Sequence, residues 1–387
     1  MSEQVLYRKY RPRDFTQVVG QDQVTAAIRN AFKTGRVAHA YLFSGPRGVG
    51  KTTMARLIAK SLNCVKHTSG GGDGDVPCND CAFCRDFNDG RDMDVVEIDA
   101  ASNRGINDIR ALRDSVRFVP VRGRYKTYII DETHQLTKEA FNALLKTLEE
   151  PPAHAVFILA TTDPEKVPAT IVSRTQHYHF RRPRPDEIAG RLMEIARREG
   201  VVLEQDAARI MALAAEGSLR DAESILGQVM AVQDKKITRA ETEDILGLPR
   251  REAAKQLFAL IAEKKTPEAL ALIQELAEGG YDMVYFAKLI MQYFRAALFV
   301  KTDPSLEQYA AADLLADEYE SIRRHLPAYT AQELAVAVNA IFDHLPRFRR
   351  AIVPQLPLEL MVIALIDGTD APSAGPAEMA AVSGGRD

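Results

Sequence analysis

Gly45-Pro46-Arg47-Gly48-Val49-Gly50-Lys51-Thr52 is a complete G-x-x-x-x-G-K-T phosphate-binding loop. An apolar run, Ala40 to Phe43, precedes the loop, and a helical pattern, Met54 to Ala59, follows it. This order of strand, loop and helix is the context that the motif requires. Its glycines let successive backbone N–H groups converge on phosphate groups, and the helix N-terminus adds a positive potential. The sequence therefore predicts a nucleoside triphosphate site.

Two side chains of the loop carry the expected chemistry. Lys51 can reach the β- and γ-phosphates, and the Thr52 hydroxyl can ligate Mg²⁺. Thr53, the next residue, is also predicted to bind the nucleotide.

Hydrolysis also needs an acidic group, and Asp131-Glu132 ends a β-rich run that we expect to neighbour the loop's strand. Asp131 is expected to hold Mg²⁺ alongside Thr52, and Glu132 to polarise the attacking water as general base. Thr161 and Thr162 end the next strand, where a hydroxyl could sense the γ-phosphate or merely cap the strand. Spacing alone leaves these two alternatives open.

Two arginines are further candidates. Arg174 could act as an arginine finger, supplied across an interface to the charge of the transition state. Arg220 opens a predicted helix from which it could reach back to the phosphates. Spacing alone favours a surface position for both arginines over a catalytic one.

Alternating strands and helices predict an α/β domain over residues 1–180, with a parallel sheet and helices on both faces. From Pro183 onward the pattern is helical, which predicts two all-α domains, a lid over 181–247 and a second domain over 248–367. The seam is placed at Leu248-Pro249-Arg250. The last residues, 368–387, are rich in Ala, Gly, Pro and Ser and are predicted to be disordered.

All four cysteines, Cys64, Cys78, Cys81 and Cys84, lie close together. Their spacing, C-x13-C-x2-C-x2-C, predicts a closed tetrahedral Zn²⁺ site with a structural role, in a module over 64–84 inserted into the α/β domain. The excursion between the first two cysteines is predicted to be flexible. His67 could replace a thiolate, but four cysteines already satisfy the metal.

Composition limits the classes of function. The net charge of −3 does not indicate a nucleic-acid binder, so contact with DNA would need a local patch. Basic residues concentrate at Arg8 to Arg11 and at Arg181 to Arg184. The N-terminus has no apolar signal segment, and the longest unbroken apolar runs, such as Leu360 to Ile366, are too short to span a bilayer. We therefore expect a cytoplasmic protein with no membrane partner.

The ordered set of motifs closely resembles the gamma/tau ATPase subunits of bacterial DNA polymerase III clamp loaders, in the AAA+ superfamily. The resemblance is strong over roughly residues 4 to 230, and the C-terminal helices match by length and class. The matching stretches are the four-cysteine module, Arg8-Lys9-Tyr10-Arg11-Pro12, Val18-Val19-Gly20-Gln21, His39 to Gly45, Asn142 to Pro152, Ala160 to Pro164, Ser173-Arg174 and Gly217 to Asp221.

The resemblance implies roles for these positions. The phosphate loop is Walker A, Asp131-Glu132 is Walker B, Thr161 or Thr162 is sensor 1, Arg220 is sensor 2, and Arg174 is a trans-acting arginine. Tyr7, Tyr10 and Arg11 belong to a segment expected to pack against the adenine. Two departures lie at Thr133 and Thr175, where the family usually has valine and cysteine, and neither removes a charged group.

The resemblance also implies partners and a mechanism. Further copies of the chain would join delta and delta-prime subunits in a ring, held by a collar of the C-terminal helical domains. ATP binding would open a ring-shaped sliding clamp (beta), and primer–template DNA would trigger hydrolysis and release of the clamp. The alternatives are another AAA+ DNA-processing ATPase, such as a branch-migration helicase, and a non-catalytic clamp-loader scaffold subunit.

Overall fold

The computed structural model describes residues 5–68, 77–232, 235–310 and 314–367. Two compact units divide the chain between Ile237 and Thr238, ahead of the predicted seam at Leu248. The reason is helix α12 (Arg239–Ile245), whose Glu243 accepts a hydrogen bond from the Arg251 backbone N at 3.3 Å within the second unit. The predicted flexible excursion falls almost wholly, and the predicted disordered tail entirely, outside the described residues.

A five-stranded parallel sheet forms the centre of the first unit, with the strand order β2-β3-β4-β1-β5. Its strands are β1 (Ala40–Ser44), β2 (Val95–Asp99), β3 (Lys126–Asp131), β4 (Ala155–Thr161) and β5 (Gln176–His179). Every residue of β1 and β4 is buried, as expected for central strands of a parallel sheet. Strand β5 was not predicted, because a short polar edge strand lacks the apolar run that marks the others.

Helices cover both faces of the sheet, as predicted. On one face, Ile28 and Ile58 pack with Phe43 of β1. On the other, Ile109 and Leu144 pack with Leu42, the preceding residue of the same strand. Alternate side chains of a strand point to opposite faces, so one strand supplies both cores. The helices of this α/β domain are α1 (Leu6–Lys9), α2 (Asp22–Thr34), α3 (Lys51–Leu62), α4 (Val65–Thr68), α5 (Ala82–Asn88), α6 (Ile106–Ser115), α7 (Lys138–Glu149) and α8 (Ala169–Val172).

The remainder of the first unit is a small helical lid with helices α9 (Pro185–Arg198), α10 (Gln205–Ala214) and α11 (Leu219–Met230). It also contains two strands of two residues each, β6 (Val202–Leu203) and β7 (Lys236–Ile237), which pair in parallel. The all-α prediction for this region missed them, since two residues are too few to give a strand pattern.

The described residues of the second unit form helices joined by turns and contain no strand, and its core is apolar. Its helices after α12 are α13 (Arg251–Ala262), α14 (Thr266–Glu278), α15 (Met283–Thr302), α16 (Glu307–Ala310), α17 (Ala316–His325), α18 (Ala331–His344) and α19 (Leu356–Asp367).

Helix α15 differs from the expectation that every apolar segment is too short for a bilayer. With 20 residues and a mean hydropathy of 1.3, it is, within the described ranges, the one helix that meets the length and composition of a membrane span. The sequence hides it because Lys288 and Arg295 interrupt the apolar run. In the structure α15 is a core helix, since side chains such as Phe286, Ile290 and Phe294 are fully buried in the second unit.

Candidate nucleotide site

The phosphate-binding loop joins β1 to α3, as predicted, and Lys51 is the first residue of that helix. The lysine is buried, and its Nζ donates hydrogen bonds to the carbonyl oxygens of Gly45 and Pro46, each at 2.7 Å. Burial lowers the pKa of Lys51, while the nearby charges of Glu132 and Asp131 act in the opposite direction. The ammonium group is thus held inside the loop, on two neutral acceptors that phosphate oxygens can replace.

Gly48 lets the lid come close to this loop. Its φ of +74° lies in the left-handed region, and a Cβ there would stand 1.9 Å from Ser218 Oγ. The backbone N of Leu219 donates to the Gly48 carbonyl at 3.1 Å. Helix α11 of the lid therefore begins directly against the phosphate loop.

The acidic pair reaches the loop from the end of β3, although the predicted adjacency of the two strands is wrong. Strand β4 lies between β1 and β3. Even so, Thr52 Oγ1 donates to Asp131 Oδ2 at 2.6 Å, and Asp131 Oδ1 accepts from the Glu132 backbone N at 2.9 Å. A hydroxyl and a carboxylate in contact form the oxygen donor set that suits Mg²⁺. Thr52 and Asp131 are therefore fit to hold that ion together.

Glu132 has the backbone conformation of a turn, with φ at +48° and ψ at +42°. Thr162 Oγ1 donates to its Oε2 at 3.1 Å, and His134 Nδ1 lies 3.5 Å from the same oxygen. Thr161 is fully buried, with its hydroxyl 3.1 Å from His134 Nδ1 and accepting from the Asp163 backbone N at 3.0 Å. The two candidate threonines therefore have different surroundings, and Thr162 is the one that touches Glu132.

One cavity collects most of the predicted nucleotide-binding residues. The loop residues Arg47 to Thr53, the acidic pair, Tyr7, Arg11 and Arg220 line it together. The Arg220 guanidinium lies 4.8 Å from the centre of the Tyr7 ring, and its hydrogen bond lowers the pKa of the Tyr7 hydroxyl. Burial, and then the charge of Arg56, lower the pKa of Arg11. The lid and the N-terminal segment thus meet over the loop.

Tyr10 lies outside the wall of the nucleotide cavity, although it was predicted to pack against the adenine. Its backbone carbonyl accepts a hydrogen bond from Arg191 Nη2 at 2.5 Å. Burial raises the pKa of its hydroxyl, assisted by Glu199. Tyr10 therefore supports the site through its backbone.

Several residues of the cavity wall were not singled out from the sequence. Val18 and Val19 are apolar wall residues, and Gln17 lies beside them. Arg191 and Glu223 come from two lid helices, and both are buried. In the sequence they resemble ordinary charged positions of surface helices, because only the tertiary structure encloses them.

Arg174 lies elsewhere, two residues beyond α8. Its Nη2 donates to Glu149 Oε1 at 2.6 Å and its Nη1 to the Thr170 carbonyl at 2.8 Å. About a third of its side chain is exposed, at 34%. The guanidinium is therefore oriented on the surface, away from the cavity of its own chain.

The four cysteines form a compact cluster whose sulfur atoms all lie within 4.8 Å of one another. Backbone N–H groups of Cys78, Cys81 and Cys84 each donate to the sulfur of another cysteine of the set at 3.4 Å. A tetrahedron of Zn–S bonds near 2.3 Å separates its sulfurs by about 3.8 Å, so the cluster fits Zn²⁺. His67 instead packs edge-on against Phe32, with 5.1 Å between the ring centres.

Lys60 links this cluster to the phosphate-loop helix. The lysine lies in α3 and is 1% exposed. Its Nζ donates to the Arg13 carbonyl at 3.1 Å, to Asn88 Oδ1 at 2.5 Å and to Asn79 Oδ1. Asn79 lies between Cys78 and Cys81, so the cysteine module is anchored to the helix that Lys51 begins.

The two departures from the family pattern are both accommodated by local hydrogen bonds. Thr133 is fully buried and its hydroxyl donates to the Ile130 carbonyl at 2.8 Å. The Thr175 hydroxyl donates to the Val172 carbonyl at 3.0 Å, at the end of α8. A threonine hydroxyl with a backbone acceptor avoids the penalty of an unpaired buried donor.

Three family models match consecutive parts of the chain. "DNA polymerase III, delta subunit" matches residues 20–184. "DNA polymerase III clamp loader subunit, ATPase lid domain" matches residues 187–235. "DNA polymerase III subunits gamma and tau domain III" matches residues 237–377. The boundaries between these matches follow the division into α/β core, lid and second unit.

Curated relatives agree with these matches. The tau subunit of DNA polymerase III from Bacillus subtilis is 41% identical over 88% of this chain, and that from Escherichia coli is 46% identical over 73%. This chain covers 59% and 43% of them, so it spans about half the length of these relatives. The gamma subunit from Buchnera aphidicola is 38% identical over 79% of this chain, which covers 83% of that protein. The chain thus belongs to the gamma/tau family of DNA polymerase III subunits.

Proposed function

We propose that this chain is the ATPase motor subunit of a bacterial clamp loader. The observation that carries the proposal is the convergence of four groups on one cavity: Lys51 in the loop, the Thr52–Asp131 contact, Glu132, and Arg220 from the lid. Family membership supports the same role, since one matching family model is described as the ATPase lid of a clamp loader subunit.

The bound nucleotide would be ATP with Mg²⁺. Lys51 Nζ would donate to oxygens of the β- and γ-phosphates in place of the Gly45 and Pro46 carbonyl oxygens, so it would remain a hydrogen-bond donor. Thr52 and Asp131 would hold Mg²⁺, which offsets negative charge on the phosphates. Glu132 would orient and polarise the attacking water, with Thr162 fixing its carboxylate in the role of sensor 1.

The lid would report the state of the nucleotide. Arg220 and Tyr7 stack within the cavity, and α11 begins against Gly48. A γ-phosphate contacted by Arg220 would stabilise one orientation of lid and core over another, because it would interact with both. Loss of that phosphate would remove the preference.

Assembly would complete the site. Arg174 lies on the surface of its own chain. The Arg174 of one copy could therefore reach the phosphates of a nucleotide bound to the neighbouring copy. The proposed neighbours are further copies of this chain and the delta and delta-prime subunits, and the proposed substrates are the sliding clamp and primer–template DNA, in the cytoplasm. ATP that contacts two subunits binds more tightly to the assembled arrangement than to separate subunits, and it therefore favours assembly.

Zn²⁺ would have a structural role. Four cysteine ligands leave no open coordination position for a substrate. Through Lys60, the ordered module would stabilise the start of the α/β core, including the Arg13 backbone.

A stepwise ATPase assay tests the proposal. The turnover of this chain is measured alone, then with delta and delta-prime subunits, then with the sliding clamp, and finally with primed DNA. We expect low turnover until clamp and primed DNA are both present, and Lys51→Ala should abolish the stimulated rate. Turnover that ignores these partners would favour another DNA-processing ATPase, and no turnover in any mixture would favour a scaffold subunit.

A further inference from the structure

Glu223 is a buried carboxylate in the wall of the nucleotide cavity that the proposed catalytic roles leave unused. It lies on α11, three residues after Arg220, so both side chains share one face of the helix. The first residue of α11, Leu219, is bonded to Gly48 of the phosphate loop. Glu223 therefore lies one helical turn beyond the residue that is hydrogen-bonded to the phosphate loop, and it lines the same cavity.

The Glu223 carboxylate receives few hydrogen bonds from the protein. Glu223 is 7% exposed, and Arg191 Nε donates a hydrogen bond to its Oε1 at 3.4 Å. Arg191 directs closer contacts elsewhere, to the Tyr10 carbonyl at 2.5 Å and to Glu194 Oε2 at 3.0 Å. Among the residues that the structure describes, none donates a hydrogen bond to Glu223 Oε2. Burial raises the pKa of Glu223 to about 7, although the charges of Arg191 and Arg11 oppose the rise.

Within the described residues, the structure thus leaves one oxygen of a cavity-lining carboxylate without a protein donor, and a ligand bound in that cavity can supply one. Both the ionised and the protonated form of a carboxyl group have an oxygen that accepts hydrogen bonds, and the ionised form repels phosphate groups, so the matching ligand is an N–H or O–H group. In a nucleoside triphosphate those donors belong to the nucleoside, as ribose hydroxyls or the amino group of the base. The phosphates are assigned to Lys51 and Thr52 of the loop, which line the same cavity as Glu223.

We infer that Glu223 is a specificity-determining residue that accepts a hydrogen bond from the nucleoside of the bound nucleotide, with Arg191 positioning its carboxylate. The inference rests on the proposed function, because it presumes that this cavity binds a nucleoside triphosphate. A site with a buried acceptor rejects nucleotides that lack the matching donor, since the acceptor is then left unpaired.

Three analogues of ATP, each lacking one donor, test this inference. They are 2′-deoxyATP, 3′-deoxyATP and purine riboside triphosphate, which lacks the 6-amino group. Dissociation constants are compared with that of ATP for the unaltered chain and for Glu223→Leu, Glu223→Gln and Gln228→Ala. Gln228 lies on the exposed face of the same helix and is the matched control.

We expect the unaltered chain and Gln228→Ala to bind one analogue about tenfold or more weakly than ATP. In Glu223→Leu that ratio should fall to within about threefold of unity, and in Glu223→Gln it should be intermediate, because glutamine keeps a neutral acceptor. The identity of the analogue reveals whether the ribose or the base provides the donor.

The inference is overturned if the unaltered chain binds all three analogues as well as ATP, or if both Glu223 variants keep the full ratio. Each ratio is measured within one variant, so a general loss of affinity cancels. If Glu223→Leu does not fold, the near-isosteric Glu223→Gln decides by the same ratio. Lys51→Ala separates the two proposals: unchanged ATP affinity in that variant would refute the nucleotide site itself.

Discussion

Arg174 and Glu149 form an ion pair, with 2.6 Å between Nη2 and Oε1, on the surface of the α/β core. The Thr170 carbonyl accepts from the other terminal nitrogen, so both ends of the guanidinium are oriented by its own chain. An exposed ion pair contributes little to stability, about 0 to 1 kcal/mol. In the proposed assembly, its more important effect would be to hold the arginine in one direction before a neighbouring subunit approaches.

Arg174→Ala should leave ATP binding by the isolated chain unchanged and lower hydrolysis by the assembled complex on the order of 10³-fold, as expected for an arginine that stabilises transition-state charge. Both quantities are measured on the same preparation, by equilibrium binding and by stimulated turnover. Arg91→Ala is the control, since Arg91 also forms surface ion pairs, with Asp86 and Asp89.

Mixed complexes give a sharper test of whether Arg174 acts in trans. In a complex assembled from both variants, some sites lie between an Arg174→Ala chain and a Lys51→Ala chain. At such a site the Arg174→Ala chain binds ATP and the Lys51→Ala chain supplies the arginine. Part of the activity should therefore return, although neither variant is active alone. An inactive mixture would mean that Arg174 serves the nucleotide of its own chain.

Lys51→Ala should reduce ATP affinity a hundredfold or more, because it removes a buried charge from the position of the β- and γ-phosphates. The measurement is calorimetric titration with ATP in the presence of Mg²⁺. Lys33→Ala, at an exposed position of α2, should bind ATP as the unaltered chain does. Comparable affinities for the two variants would exclude a role for Lys51 in phosphate binding.

Thr162→Val should lower the rate of hydrolysis about tenfold to a hundredfold while changing ATP affinity little, because the hydroxyl holds Glu132 and not the nucleotide. Thr161→Val should instead act on stability, with a loss of about 1 kcal/mol from the contacts to His134 and Asp163. Single-turnover rates and unfolding midpoints of both variants separate these effects. The reverse pattern would assign the sensor role to Thr161.

The sequence predicts those parts of the site that depend on local chain geometry. The phosphate loop, the acidic pair and the cysteine cluster are each read from short spacings, because one turn or one strand end positions their atoms. The pair Arg191 and Glu223 could not be found this way, since two lid helices and the N-terminal segment must pack before either side chain is buried. Strand β5 and the surface pairing of Arg174 likewise depend on contacts between segments that are distant in the chain.

Cys78→Ser should reduce the zinc content from about one ion per chain to a small fraction, and should lower the unfolding midpoint of the α/β core. The physical reason is that folding of the module depends on four thiolates around one ion. Elemental analysis after extensive dialysis gives the zinc content directly. Asp80→Asn, an exposed change between two ligand positions, should keep the metal. An unaltered chain that carries no zinc would refute the site, as would full zinc retention in Cys78→Ser.

Glu223 also predicts a dependence of stability on pH. Its pKa rises from a usual value of 4.5 to about 7 in the folded chain, chiefly through burial. Between these values the folded state binds more protons than the unfolded state, so stability contributed at Glu223 falls as pH rises from about 4.5 to 7. At about 1.4 kcal/mol for each pH unit, the loss is about 3 kcal/mol at most. Without nucleotide, the unfolding midpoint of Glu223→Gln should therefore exceed that of the unaltered chain by a margin that widens from pH 5 to pH 8. Glu165→Gln, at an exposed position, should show no such margin; a margin for Glu223→Gln that does not vary with pH would mean that the carboxylate is ionised throughout.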